Sequence, residues 1–476
     1  MATETAEGVY ARAVDAFLGG RLADADALLR AVLHSQHTHA DAWHLLGLVA
    51  LRAGELDTAA EFIEAAIECR PHTAMYHHNL GDVERSRGDL SAAAAAFRTA
   101  IQLEAAYPSA HNGLGAVLGA QRRYAEAAAH YRKALQLDPR YADAARNLGN
   151  ALTRQGRLEE ALARYEQALK IEPASMVRHD IAVTLFGLRR FDALLAFVAR
   201  DPDAEGVGDV LHAIVEFERG VPAACRGALD AAEARLPSSG DFPGRARYTT
   251  YLGYLRALLA KRAAHPQLYE GSVAGVLYVV GDSHSLATAG LVIDVAGARL
   301  RAEPRLAIDV TAWALGRSEP NEYQRRFAEA LASVPDDAQV LVTAGEIDCR
   351  FDAGILPHQR RHPEEPLADA VRALVRAYVE RTCEQARSRG IVLTFAGVPA
   401  PNGDRDAAPA EEQARFLEVR RTFNTALAQE ARSHGCRFVD LDAVTAQPDG
   451  WARPERFVDA YHCEPSAFAE AIREAR

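Results

Sequence analysis

The sequence predicts a chain of mixed class, α followed by α/β: an all-α superhelix of paired helices, then a three-layer domain built on a parallel sheet. Two observations predict it. A Leu-Gly pair recurs every 34 residues in the first half, at Leu46-Gly47, Leu80-Gly81, Leu114-Gly115 and Leu148-Gly149. After His265-Pro266 the period changes, and short β-rich runs alternate with helical stretches. At 476 residues the chain is also too long for a single hydrophobic core.

The repeat carries more than the Leu-Gly pair. Alanine recurs in phase at Ala59, Ala93, Ala127 and Ala161, and again at Ala66, Ala100, Ala134 and Ala168. Between them stands a bulky residue, Ile63, Phe97, Tyr131 or Tyr165, and Pro71, Pro139 and Pro173 close three of the repeats. Small residues let two antiparallel helices cross closely, the aromatic fills the groove, and proline stops the second helix. These positions resemble those of the tetratricopeptide repeat family. Ala105 stands where the second repeat would have its proline. Four good repeats span roughly 40–175, residues 6–39 read as a weaker first repeat, and 176–205 as a degraded last one, giving a repeat domain over 1–205.

The resemblance implies that a peptide or protein binds along the concave face lined by the first helix of each repeat. The inward positions include His44, His78, Asn112 and Arg146, then Asn79 and Asn147, then Asp82 and Asn150. An amide donates and accepts at once, so asparagines on such a face can hold a peptide backbone. The competing reading is that asparagine is a tolerated polar residue on a solvated surface. The histidines His34, His37, His39, His44, His77 and His78 lack a fixed ligand spacing and a completing carboxylate or cysteine, so no metal is expected.

Composition narrows the partners. Apolar residues make up 49% of the chain and charged residues 25%, as in ordinary soluble proteins. A net charge of −11 argues against nucleic acid and anionic membranes. No stretch approaches the length of apolar sequence that spans a bilayer, and the N-terminus does not read as a signal peptide. Six cysteines without CxxC spacing read as reduced thiols, so a cytoplasmic location is expected.

Residues 206–266 stay helical, broken by PSSGDFPG, and read as a connector. Beyond it, strands are expected at Val273–Val280, Arg305–Val310, Gln339–Ala344, Ile391–Gly397 and Arg437–Leu441. Helices are expected over 285–298, 321–333, 366–389 and 410–433. Such alternation with apolar strands predicts a flavodoxin-like, three-layer parallel sheet over 267–476.

In open parallel sheets, ligands bind beyond the carboxyl ends of the strands. The first strand runs into Gly281-Asp282-Ser283-His284, the third into Gly345-Glu346-Ile347-Asp348-Cys349-Arg350, and Asp459-Ala460-Tyr461-His462 precedes the last helix. A serine hydroxyl needs an imidazole to take its proton, and the imidazole needs a carboxylate to fix its tautomer. A GDS triplet, a G-x-x-D and a D-x-x-H in this order resemble the blocks of the SGNH (GDSL-type) hydrolases over roughly 273–476. That resemblance implies Ser283 as nucleophile, His462 as general base and Asp459 as its orienting acid. The oxyanion would be met by the Ser283 amide and by Gly316. One departure stands out: Ile347 occupies the position of the family's asparagine donor. Either Arg350 supplies the missing positive charge, or two donors suffice, or hydrolysis is not the activity. His284, Glu346 and Asp348 complete the candidate rim, and Cys349 with Cys463 offers a weaker zinc reading.

The implied function is ester hydrolysis through an acyl-enzyme on Ser283, acting on a small acyl ester or an acylated substrate recruited by the repeats, without cofactor. One alternative is an acyltransferase that passes the acyl group to a sugar or peptide hydroxyl. Another is a non-catalytic peptide-binding scaffold, with Ser283 and Asp459 serving only as turn and cap residues.

Overall fold

The computed structural model describes residues 5–173, 175–200, 206–235, 245–307, 310–317, 321–345, 355–401, 409–459 and 462–475. Two compact units divide the chain, Met1–Val177 and Arg178–Arg476.

The first unit is a series of antiparallel helix pairs: α1 (Ala6–Leu18) with α2 (Leu22–Ser35), α3 (Ala40–Ala53) with α4 (Leu56–Cys69), α5 (Ala74–Arg87) with α6 (Leu90–Leu103), α7 (Pro108–Ala120) with α8 (Tyr124–Leu137), and α9 (Ala142–Arg154) with α10 (Leu158–Ile171). The 34-residue pattern explains each pairing. A Cβ at Gly47, Gly81, Gly115 or Gly149 would lie 2.4, 2.8, 2.7 or 2.5 Å from Ile63, Phe97, Tyr131 or Tyr165, so only glycine lets the large residue of the second helix seat there. Ala59, Ala93, Ala127 and Ala161 are wholly buried in the same seam. Gly54 and Gly88 end α3 and α5 in the left-handed conformation, with φ of 81° and 87°, which frees the chain to reverse into the second helix of each pair.

The second unit takes in most of α11 (Ser175–Gly187), then α12 (Phe191–Arg200), α13 (Val207–Glu218), α14 (Pro222–Arg235) and α15 (Arg245–Ala264), and after them a mixed sheet with helices. Its strands are β1 (Gly275–Gly281), β2 (Val292–Val295), β3 (Ala298–Leu306), β4 (Gln339–Thr343), β5 (Val392–Ala396) and β6 (Arg437–Val439). They lie side by side in the order β2-β3-β1-β4-β5-β6. The pairs β1–β3, β1–β4, β4–β5 and β5–β6 are parallel, and β2–β3 is antiparallel. The helices are α16 (His284–Ala287), α17 (Ala312–Gly316), α18 (Glu322–Ala332), α19 (Ile355–Arg361), α20 (Leu367–Arg387), α21 (Ala410–Ser433), α22 (Leu441–Thr445) and α23 (Pro465–Glu474). Phe327 of α18, Tyr378 of α20 and Phe423 of α21 bury their rings in one core with Val280, Val342 and Phe395 of the sheet. Among the described residues, no helix is long and apolar enough to cross a membrane.

The structure corrects the expected sheet in two respects. The sheet is mixed rather than parallel, because β2 runs antiparallel to β3 at one edge. Residues 285–298, expected as a helix, form only the short α16 before the chain enters this hairpin. Ala296 and Gly297 turn it, both with positive φ (50° and 84°), as a two-residue hairpin loop requires. The second parallel strand accordingly starts at Ala298 rather than Arg305 and ends at Leu306. Leu300, Ala302, Pro304 and Leu306 give it an alternation of two, and all four are buried.

Candidate functional site

The centre of the second unit's site is built by the end of β1 and by a tight loop before α23. β1 lies between β3 and β4, with Gly281 opposite Leu306 and Thr343. β4 approaches so closely there that a Cβ on Gly281 would lie 1.8 Å from the Thr343 carbonyl oxygen, so the position requires glycine. Asp282 donates its backbone N–H to that oxygen at 3.0 Å, and Ser283 follows at the head of α16.

Ser283 does not use its hydroxyl to cap the helix. Its Oγ lies 2.7 Å from His462 Nε2. On the far side of the ring, His462 Nδ1 lies 2.7 Å from Asp459 Oδ2 and 2.9 Å from Oδ1. The loop carrying these two residues is closed at its base: Val458 N–H donates to the His462 carbonyl at 2.9 Å, and Phe457 pairs with Cys463. Asp459 Oδ1 also accepts the His462 backbone N–H at 2.8 Å, so one carboxylate fixes both the turn and the ring. Asp459 is not the cap of the last helix; Glu464 stands at that position, and Pro465 starts the helix. His462 is buried, 4% exposed.

Three more groups complete the surroundings. His284 is buried, its ring centroid 5.1 Å from that of His462. Asp282 holds it from below, accepting the His284 backbone N–H at 3.0 Å and lying 3.3 Å from its Nδ1. Tyr254 of α15 stacks flat on His462, with centroids 3.8 Å apart and planes 18° from parallel, and donates its hydroxyl to the Ser283 carbonyl at 3.1 Å. Reasoning from strand ends points only at the sheet and misses this residue. The stripe Tyr248, Tyr251, Tyr254, all buried on one helix face, is the sequence signal that could have found it. Gly316 closes α17 and packs on α20, where a Cβ would meet the Leu374 carbonyl oxygen at 3.0 Å. Glu346, Ile347, Asp348, Cys349 and Arg350 lie outside the described residues. Among the described residues, no group of three or more His, Cys, Asp or Glu could hold a metal ion.

In the first unit, the candidate ligand-binding residues are brought together in a different way. Asn79 Nδ2 lies 2.6 Å from His44 Nε2, and Asn79 Oδ1 lies 3.0 Å from His78 Nδ1. Asn147 donates to Asn112 Oδ1 at 3.0 Å, and Asn112 donates to the Tyr141 hydroxyl at 3.3 Å. Asn150 accepts from the Tyr165 hydroxyl at 2.8 Å. The amides thus bond partners on neighbouring helices and stitch α3 to α5 and α7 to α9. The other histidines serve the repeat junctions: His39 Nδ1 accepts the Ala42 N–H at the start of α3, and His77 bonds the Pro71 carbonyl.

Three family models match this region: tetratricopeptide repeats over residues 10–74 and 107–173, and a TPR repeat over 81–121. The N-terminal part of the chain is a tetratricopeptide repeat array. Solved structures similar to it include YrrB, described as a TPR protein with an unusual peptide-binding site, at 22% identity over 37% of this chain and 90% of that one, with a TM-score of 0.32. PilF of Pseudomonas aeruginosa aligns at 20% identity over 45% of this chain and 97% of its own, with a TM-score of 0.38. A thermophilic TPR protein of Thermus thermophilus, TTC0263, aligns at 23% over 38% and 100%, with a TM-score of 0.33. No curated protein matches the chain.

Within the tetratricopeptide array, burial pushes the His44 imidazole down to about 4, against a smaller opposing pull from Asp41. Burial also lowers His111 and His130, whose Nδ1 atoms lie 3.2 Å apart. An unfolded histidine titrates near 6.5, so between about pH 6.5 and about pH 4 the unfolded chain binds more protons than the folded one. The folded pKa is depressed, so the array should lose stability as pH falls through this window. From about pH 7 to about pH 5 the loss from His44 should be about 2 kcal/mol. Urea unfolding of wild type and His44→Gln at the two pH values measures it, and an equal pH dependence in both would remove His44 as its source.

Proposed function

We propose that this chain is a serine-dependent ester hydrolase of the O-deacylase type, whose tetratricopeptide array recruits the acylated peptide or protein. The observation that carries the proposal is the unbroken line from Ser283 Oγ to His462 Nε2 at 2.7 Å and from His462 Nδ1 to Asp459 at 2.7 Å. Two features of the sheet support it. With the antiparallel edge strand set aside, the parallel strands stand in the order β3-β1-β4-β5-β6, a second-first-third-fourth-fifth order of the kind flavodoxin-like sheets have. The serine also sits beyond the carboxyl end of the central strand β1, where open parallel sheets place their ligands.

In this scheme Ser283 Oγ adds to the ester carbonyl carbon as its proton passes to His462 Nε2. The oxygen of the former carbonyl carries the negative charge, with the Ser283 and Gly316 amides as its proposed donors. His462 returns the proton to the departing alcohol as the C–O bond breaks, leaving an acyl-serine. Water then adds while His462 takes its proton, and the acyl–Oγ bond breaks as His462 returns that proton to Oγ, releasing the carboxylic acid and restoring Ser283. Asp459 keeps Nδ1 protonated throughout, so Nε2 is the nitrogen that accepts.

A second reading is favoured by the comparisons, since every family match falls on the repeats: a peptide- or protein-binding scaffold in which the sheet unit turns nothing over. One experiment separates the two. A fluorophosphonate should form one Oγ–P bond with loss of fluoride, seen as a single mass increment on the intact chain and absent from Ser283→Ala. Wild-type protein that stays unmodified after long exposure would leave the scaffold standing.

A further inference from the structure

We infer that Tyr254 is a positioning residue for the Ser283–His462 pair, so that α15, a helix ahead of the sheet, completes the reactive centre; this rests on the serine-site reading above. The contact is specific on both sides of the phenol. Its ring lies flat on His462, with centroids 3.8 Å apart and planes 18° from parallel, so it covers one face of the imidazole and limits its tilt. Its hydroxyl donates to the Ser283 carbonyl oxygen at 3.1 Å, fixing the main chain that carries the nucleophile. One side chain thereby touches both of two residues that lie 179 positions apart in the chain. A second contact from the same helix secures the His462 loop: Lys261 Nζ lies 2.7 Å from Glu464 Oε2, two residues beyond His462.

The stack also matters for charge. When His462 takes the serine proton it becomes an imidazolium, and an aromatic face in contact with a cation attracts it. The phenol must stay neutral to serve, and burial first, then the negative charge of Asp459, hold Tyr254 well above its ordinary value. Among the described residues, the groups that face the imidazole include Ser283 and His284 at the head of α16, Asp459 on its own loop, and Tyr254 on α15. Of these, Tyr254 is the one that covers a ring face in parallel.

The test compares Tyr254→Phe and Tyr254→Leu in the full chain, reading the rate of fluorophosphonate labelling against pH. In parallel, the titration of the His462 ring is followed by NMR of histidine-labelled protein. Phe keeps the stack and loses the hydrogen bond, so its pH midpoint should match wild type while its rate falls severalfold. Leu removes the π face, so imidazolium is less favoured. Its midpoint should move to lower pH in both measurements, and its maximal rate should fall by about threefold to thirtyfold. A merely structural tyrosine would lower the melting temperature without moving either midpoint. Wild-type midpoints and rate in folded Tyr254→Leu would overturn the inference. Should Leu fail to fold, Tyr254→Phe decides: a midpoint displaced in Phe would overturn it, because the ring is still present. If wild type is never labelled, the hydrolase reading falls, and the His462 titration still decides whether Tyr254 tunes the ring.

Discussion

Replacing Asp459 with asparagine should lower the fluorophosphonate labelling rate of Ser283 by about four orders of magnitude while leaving the fold intact. The size follows from tautomerism. Asp459 receives the Nδ1 proton at 2.7 Å, which leaves Nε2 unprotonated and facing Ser283 Oγ. An asparagine amide turned toward Nδ1 would donate to it, move the ring proton to Nε2, and remove the acceptor from the serine. The turn itself should survive, because an asparagine oxygen can still accept the His462 backbone N–H that Asp459 Oδ1 now accepts at 2.8 Å. Labelling rate and melting temperature should therefore separate. A rate within tenfold of wild type would mean that Asp459 only braces the loop.

What could be read from the sequence depended on how local its cause was. The repeat array is legible because each 34-residue unit meets the same steric demand, a glycine under Ile63, Phe97, Tyr131 or Tyr165. Long helices such as α20 and α21 are legible from their periodicity, and the structure gives Leu367–Arg387 and Ala410–Ser433 where 366–389 and 410–433 are expected. The β2–β3 hairpin is not, because ARLRAEPRL carries charges on its outward positions and a proline near its end, both of which argue against a strand. Pro304 is tolerated because it lies past Arg301, where the pairing with β2 stops.

The candidate site residues divide along the same line. Ser283, Asp459 and His462 sit in short motifs at element ends, and the structure brings all three within hydrogen-bond distance although 179 residues separate Ser283 from His462. Tyr254 belongs to no motif. The tyrosine stripe of α15 makes its burial legible, but not the tertiary contact with a loop more than 200 residues later from which its role comes. The inward asparagines are intermediate: their face is legible, but their bonding to His44, Tyr141 and one another depends on the stacking of successive repeats. Substituting them would remove inter-repeat bonds as well as any made to a ligand.

Gly281→Ala should destabilise the second unit by more than about 3 kcal/mol, the upper part of the range for forcing atoms into a packed core. A Cβ there would lie 1.8 Å from the Thr343 carbonyl oxygen, 2.3 Å from its Oγ1 and 2.7 Å from its carbonyl carbon. Two of those three atoms are backbone of β4, which pairs with β1 on one side and β5 on the other, so no rotamer change relieves the contact. The strands must separate, and the hydrogen bond from Asp282 N–H to Thr343 O, which leads directly into Ser283, must lengthen with them. Adding Thr343→Ala removes the Oγ1 contact but neither backbone contact, so the double variant should recover little. Repeat arrays draw their stability from neighbouring repeats, so the first unit's unfolding transition should stay near its wild-type position. Denaturant unfolding followed by circular dichroism, with fluorophosphonate labelling as the report on the second unit, measures both. A loss below about 1 kcal/mol, or full rescue by Thr343→Ala, would show that β1 and β4 can part at Gly281 without cost to the sheet.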